Sequence, residues 1–407
     1  MSTLAAALSL LAAAHSAPPD IAADAILRIL AAESQVPEGK RKIQLADAWV
    51  FAGQASLPIG SRSIPGEQVE SGRNTNASSQ SETGIDGLTL QCRVVEQQHK
   101  TNPKLARELF LQIDAKNRAT IATSGDPIPN AGPYFELFEK LYASDREVAA
   151  NTVNQITAPS FEYAVAMLKT PDVAALTERL RQISPDPYAT SVTAFSAATI
   201  NKLLPMKPHA QLRDAYRSFA LQTAGVPQCA LRGAKAPGTV IANALSALQV
   251  APGDPELLAS VKSIPMPSSP GFFDTPNGRE ILSVMRHLNL DTATPPAQRR
   301  LEFGDAVNKV LAWRESEQES AIDAFAGKSY SFDNLAKLAT TDEAKTLVEN
   351  AALATMIEAV NDQRIPHALW LAQLRKLLKR LSPAALERWS GASAAIDLQV
   401  KLLALKT

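Results

Sequence analysis

Cysteine is nearly absent from this chain, with two in 407 residues, Cys92 and Cys229. One disulfide is the most such a sequence can form. Cys92 shares a helical face with Leu88, Val95 and His99, where a thiol behaves as a small hydrophobe. Cys229 follows Gly225-Val226-Pro227-Gln228 and reads as a loop residue. No spacing brings the two together, so separate thiols are the expectation. Glycine (18) is scarcer than proline (27), which argues against phosphate loops and chains of tight hairpins. Net charge is absent too, with 41 basic residues against 41 acidic ones. A nucleic-acid binder would carry a basic excess, so that class is excluded. No stretch reaches 18 consecutive apolar residues, so no transmembrane segment is expected.

What the chain has is alanine, leucine and helical periodicity. With 45% of its residues hydrophobic it can build a sizeable core. Ile21, Ala25, Ile26 and Ile29 recur at 3.6-residue spacing. Similar stripes are Ile43, Leu45, Ala46, Trp49 and Val50; Leu105, Leu109 and Ile113; and Leu371, Leu374, Leu377, Leu378 and Leu381. Strand-like alternation between turn dipeptides is missing, and Asp86-Gly87 precedes a helical pattern. The fold class is all-α.

Proline punctuates the helices. Asn102-Pro103, Thr170-Pro171, Ser184-Pro185, Asp254-Pro255, Thr275-Pro276 and Ser382-Pro383 each join a capping side chain to a proline. The cap oxygen accepts an orphan N–H, and proline at the first helical position has none to lose. Ser144 and Glu147 have capping-box spacing. About 16–18 short helices with brief linkers fit this pattern. They are expected to stack as helical hairpins in an irregular α-solenoid, with a two-lobed helical bundle as the alternative. Leu105 to Phe110 resembles the second helix of a tetratricopeptide unit, but the Trp, Leu-Gly and Tyr landmarks of that family are missing around it. The likeness is to helical-hairpin architecture alone.

Four regions follow. Residues 1–17 read as a signal peptide: the apolar run Leu4 to Ala14 precedes Ala14-His15-Ser16-Ala17, although no Lys or Arg comes before it. Residues 18–263 form an amino-terminal helical region, interrupted at 57–86 by a Ser/Gly/Asn/Gln/Glu-rich stretch expected to be a mobile loop. Residues 264–278, with Pro265, Pro267, Pro270, Phe272, Phe273 and Pro276, read as an extended crossover, and 279–407 as a carboxyl-terminal helical region.

The search for chemistry assigns no catalytic, cofactor-binding or metal residue. Gly327-Lys328-Ser329 resembles the end of a phosphate loop, but Ile322 stands where that motif needs glycine, and the preceding residues read as helix. His99, His209, His287 and His367 share no metal-ligand spacing. Nucleophile signatures are missing. Glu136 with Glu139, and Glu315, Glu317 and Glu319, are neighbours along helices, which does not make a facing pair. Arg375, Lys376, Lys379 and Arg380 complement a helix carboxyl end. Trp49, Trp313, Trp370 and Trp389 sit in helical patterns suited to core packing. The leading expectation is an exported, periplasmic or extracellular, non-enzymatic scaffold that binds a protein or peptide. The alternatives are a secreted helical hydrolase or lyase acting on a polysaccharide or cell-wall component, or a carrier with an apolar cavity.

Overall fold

A computed structural model describes residues 3–33, 35–56, 79–80, 82–113, 132–154, 173–182, 211, 215, 276–290, 294–315 and 320–403. Among them are fifteen α-helices and no strand, so the chain is all-α. It divides into two compact units. Unit 1 gathers Met1–Phe51, Glu70–Ile85 and Pro270–Thr407, and unit 2 holds Ala52–Val69 and Asp86–Ser269. One boundary falls inside the expected 264–278 crossover. In this division the first helices belong with the last ones.

Unit 1 begins with α1 (Thr3–Ala14), α2 (Pro19–Ala32) and α3 (Glu38–Gln54), the last running a few residues past the boundary. It resumes with α9 (Pro276–Leu290), α10 (Pro296–Ala312), α11 (Ala321–Leu338), α12 (Asp342–Val360), α13 (His367–Leu378), α14 (Pro383–Ser390) and α15 (Ala394–Leu403). Consecutive helices pair, as α1 with α2, α11 with α12 and α14 with α15. The chain ends also meet, because α1 and α2 both pack on α15. Ala7, Leu10, Leu11 and Ala14 give α1 a buried face at helical spacing, so the apolar run that reads as a leader is packed here. In α2 the expected stripe Ile21, Ala25, Ile26 and Ile29 is fully buried, and Ala22, Ala23 and Leu27 join it. A helix apolar on nearly every side is a central one, and each Ile or Leu buried there contributes about 1.5–3 kcal/mol.

Unit 2 holds α4 (Gly87–His99), α5 (Pro103–Gln112), α6 (Gly132–Leu141), α7 (Arg146–Asn154) and α8 (Val173–Gln182). Helix α4 packs on α5 and α6. Leu88, Cys92 and Val95 line its buried face, as the spacing predicts. An aromatic cluster joins the helices: Phe110 stacks on Tyr134 at 4.8 Å between ring centres and lies 4.7 Å from Tyr142. Such contacts add about 0.5–1.5 kcal/mol each beyond burial.

Caps behave as simple chemistry requires. Asn102 accepts from Leu105 N, and Ser382 from Ala385 N, each with proline next in line. Asp86 caps α4 by accepting from the Thr89 N–H at 2.9 Å and the Thr89 hydroxyl at 2.6 Å. For α7 the cap is not the Ser144/Glu147 box: Asp145 Oδ1 accepts from Glu147 N and Val148 N at 3.1 Å. Of the other cap-proline pairs, Pro276 opens α9, while Thr170, Ser184, Asp254 and Thr275 lie outside the described residues.

Two stripes differ from the expected ones. On α3 the buried face is Leu45, Ala48 and Ala52, which leaves Ile43 and Val50 outward. On α5 it is Ala106, Phe110 and Ile113, with Leu105 exposed. In both, small or aromatic residues one position away fit the neighbouring helix better than the aliphatic stripe does. Within the 57–86 stretch, residues 79–80 and 82–86 are described; Ser79, Gln80, Thr83, Ile85 and Asp86 are buried, and Gly84 takes a left-handed φ of 62°.

Candidate functional site

Three features of unit 1 combine unusual placement with chemistry. The first is a polar seam on α2. Asp20, Asp24 and Arg28 are spaced i, i+4, i+8 and so share one helix face. The Asp20 carboxylate contacts His367 Nδ1 through both oxygens, at 2.9 and 3.0 Å. Arg375 donates to Asp24 Oδ2 at 2.5 Å. Arg28 reaches Gln399 Oε1 at 3.5 Å and the Leu402 carbonyl at 3.4 Å. Asp20 and Asp24 are both buried. The hydrogen bond that His367 donates to the Asp20 carboxylate raises its pKa above the ordinary value, against the opposing effect of burial. The seam ties α2 to α13 through His367 and Arg375, and to α15 through Gln399 and the Leu402 carbonyl.

The second feature is a cleft of about 90 Å³ where the end of α10, the first half of α11, the last half of α12 and the turn before α13 converge. Its walls include Trp313, Ala321, Ala324, Phe325, Ala359 and Ile365. The phosphate-loop look-alike lies here, inside α11, and among the described residues no strand precedes it. Gly327 is required by packing, because a Cβ there would overlap the Trp313 ring. Lys328 is driven inward beside it, with a side chain only 6% exposed. Its Nζ lies 3.8 Å from Glu358 Oε2, and among the described residues no acceptor comes within hydrogen-bonding distance. Arg314 shares the same carboxylate at 3.7 Å. Burial first, and the Arg314 charge second, push the Lys328 amine below the usual lysine range, while Glu358 opposes them. Arg364 closes the other side, donating to Asp362 Oδ2 at 2.8 Å and to Glu315 Oε1 at 2.5 Å. Its hydrogen bonds hold the Asp362 carboxyl below the ordinary carboxylate range.

The third feature is an apolar groove of about 360 Å³ between α1 and α3, lined by Leu8, Leu11, Ala12, His15, Lys40, Ile43 and Gln44. His15 is anchored to Gln44 Oε1 at 3.1 Å and sets its ring edge-on to Phe51. Ile43 and Val50 are 60% and 55% exposed, and Ala46 lies between them on the same face. Lys40 is exposed at the end of this stripe and has no ion partner among the described residues.

The remaining residues singled out from the sequence are spent on structure. Trp370 and Trp389 are fully buried core, with Trp370 Nε1 donating to the Met356 carbonyl at 3.0 Å, and Trp49 is half-buried. Three of the four cations in the basic run at the end of α13 are paired within unit 1. Arg375 holds Asp24, Lys376 lies 3.0 Å from Glu82, and Arg380 pairs with Asp333. His287 faces Glu302 at 3.5 Å, and His99 lies edge-on to Tyr142. Glu136 is exposed on α6 beside Glu139, and Glu315 is the Arg364 partner. His209, Cys229, Glu317 and Glu319 lie outside the described residues. Among the described residues no cluster of His, Cys, Asp or Glu could hold a metal ion, and no helix is long and apolar enough to cross a membrane. Sequence reasoning missed the Lys328 cleft and the α2 seam; the only signal for the seam was polar residues at i, i+4, i+8 on an otherwise apolar helix.

No protein-family profile, curated protein or solved structure matches this chain.

Proposed function

We propose that this protein is a helical scaffold whose α1–α3 groove binds an amphipathic helix of a partner protein. The observation that carries the proposal is the outward stripe Ile43, Ala46 and Val50. A surface helix ordinarily turns its large aliphatics inward, and this one keeps two of them in water beside an apolar groove. Spacing of i, i+3, i+7 is that of a helix-in-groove contact. Lys40, unpaired at the stripe's end, calls for an acidic residue near one end of the partner helix. The cancelled charge of the chain fits recognition of polypeptide rather than of a polyanion.

Selection of a displayed peptide library on the purified protein tests this. Enriched sequences should carry apolar residues at helical spacing with a flanking Asp or Glu. The variant Ile43→Glu/Val50→Glu should abolish enrichment while leaving the unfolding midpoint nearly unchanged, since both side chains are already exposed. Lys40→Glu should shift the preference toward basic flanks. Absence of enrichment, or enrichment indifferent to the Ile43/Val50 pair, overturns the proposal. Amino-terminal sequencing adds an independent check. A mature chain beginning at Pro18 would lack the groove wall supplied by Leu8, Leu11 and Ala12, and would overturn the groove in favour of export.

A further inference from the structure

We propose that Lys328 is a carbonyl-capturing amine, and that the α10–α12 cleft takes a small aldehyde or ketone with an apolar body and holds it as an imine on Nζ. Placement carries this inference. Lys328 is more than nine-tenths buried yet lines an open cleft, where its nitrogen is left without a hydrogen-bond acceptor among the described residues. A lysine held only for its charge would take a carboxylate at close range, as Lys401 does with Asp397 at 2.6 Å. Here the nearest carboxylate stands off at 3.8 Å and is shared with Arg314. One wall beside the amine is aromatic and aliphatic, from Trp313 and Phe325 to Ala359 and Ile365, while Arg314, Glu358 and the Arg364 ion pairs form the charged remainder of the cleft. A cleft of about 90 Å³ admits only a compact carbonyl compound, no larger than a single ring or a short branched chain. Burial and the Arg314 charge favour the neutral amine, so a larger share of Lys328 is nucleophilic at neutral pH than of a surface lysine.

The step balances without any further reagent. The Nζ lone pair adds to the carbonyl carbon, and one Nζ proton passes through water to the carbonyl oxygen to give a carbinolamine. The hydroxyl then takes a proton from solvent or from Glu358 and leaves as water, and the remaining nitrogen proton returns to that donor, which leaves a C=N bond. Glu358, half-exposed at the cleft mouth, is placed to move these protons through one water. Addition of water reverses the reaction and restores the amine. Nothing is oxidised or reduced.

The test uses the full chain, benzaldehyde and cyanoborohydride at pH 6.5, where an imine is trapped as a stable benzylamine, with site occupancy read by peptide mass spectrometry. Exposed Lys42, Lys337 and Lys345 serve as internal standards. The expected result is several-fold faster trapping at Lys328 than at any of the three, with the excess shrinking as pH rises toward 10 and the standards lose their protons. The variant Lys328→Arg should keep the circular-dichroism spectrum and lose the fast adduct. Glu358→Gln should slow trapping at Lys328 and leave the standards untouched. Trapping at Lys328 no faster than at the standards would overturn the proposal. So would a fast adduct that persists in Lys328→Arg. Because the groove between α1 and α3 plays no part, this result stands or falls separately from the peptide selection.

Discussion

Replacing Asp24 with alanine should be among the more damaging single changes in unit 1. The carboxylate is buried on α2 and receives the Arg375 guanidinium at 2.5 Å. Removing one member of a buried pair costs about 3–5 kcal/mol, because the survivor keeps its desolvation penalty and loses its partner. The Arg375 side chain retains 22% exposure, so water recovers part of that loss. Its Nε is buried and has no partner among the described residues, which limits the recovery. A destabilisation of about 3 kcal/mol is therefore expected, or about 6–12 °C in Tm for a unit of this size. Urea unfolding followed by tryptophan fluorescence suits the purpose, since Trp49, Trp313, Trp370 and Trp389 all lie in unit 1. A second variant separates charge from packing. Asp24→Leu/Arg375→Met removes both partners, and well-packed apolar replacements of a buried pair are often neutral or stabilising. It should recover most of the lost stability. A single-variant loss below about 0.5 kcal/mol would refute the reasoning, as it lies within the range of ordinary surface substitutions. A double variant as unstable as the single one would refute it too.

The neighbouring rung gives a pH dependence. The folded His367 pKa lies above its unfolded value, so its contribution is fully present below the unfolded value near 6.5 and is lost as pH rises through the folded one. Unit 1 should lose stability from that region upward in wild type, and His367→Gln should flatten the slope; NMR titration of the imidazole checks the pKa directly. Gly327→Ala should destabilise by about 1–2 kcal/mol in thermal melts, because overlap with the Trp313 ring outweighs the better helix propensity of alanine; a raised Tm would contradict the packing. Asp145→Ala should cost unit 2 about 1–2 kcal/mol through loss of the α7 cap, together with its ion pair to Arg107 at 3.2 Å. Circular-dichroism melts would read that loss, and a change within 0.3 kcal/mol, as for an exposed carboxylate, would argue against a cap (about the size of a weak surface effect).

Local grammar was legible and long-range pairing was not. Asn102 and Ser382 announce their helices because a cap and its recipient N–H lie three residues apart. The wholly buried stripe of α2 is equally plain, since no choice of face could expose it. On α3 the choice was open. Ile43 and Val50 look like core by hydrophobicity, while the small Ala48 and Ala52 are the residues that fit against the neighbouring helices. Ser144 misled for a related reason: it and Asp145 are both good caps, and the backbone decides which one the helix uses. The Asp20–His367 pair spans 347 positions, and no window along the chain could reveal it. Lys328 was visible only as a failed phosphate motif. Its meaning depends on the Trp313 ring pressing on Gly327 and turning that helix face inward.

The meeting of the two chain ends bears on how the protein is made. Arg28 and its acceptor Gln399 lie 371 positions apart. At synthesis rates of about 5–20 residues per second, α2 waits on the order of 20–75 s before α15 exists. Throughout that interval Ile21, Ile26, Leu27 and Ile29 lack part of their native cover. Unit 2, contiguous apart from one short stretch, is complete as soon as residue 269 is free of the ribosome. The nascent chain therefore presents an early, sticky, half-charged helix that the last residues must retrieve. Chaperone demand during translation falls on the amino-terminal helices, and a ribosome stalled before α13 leaves Asp20 without His367 and Asp24 without Arg375.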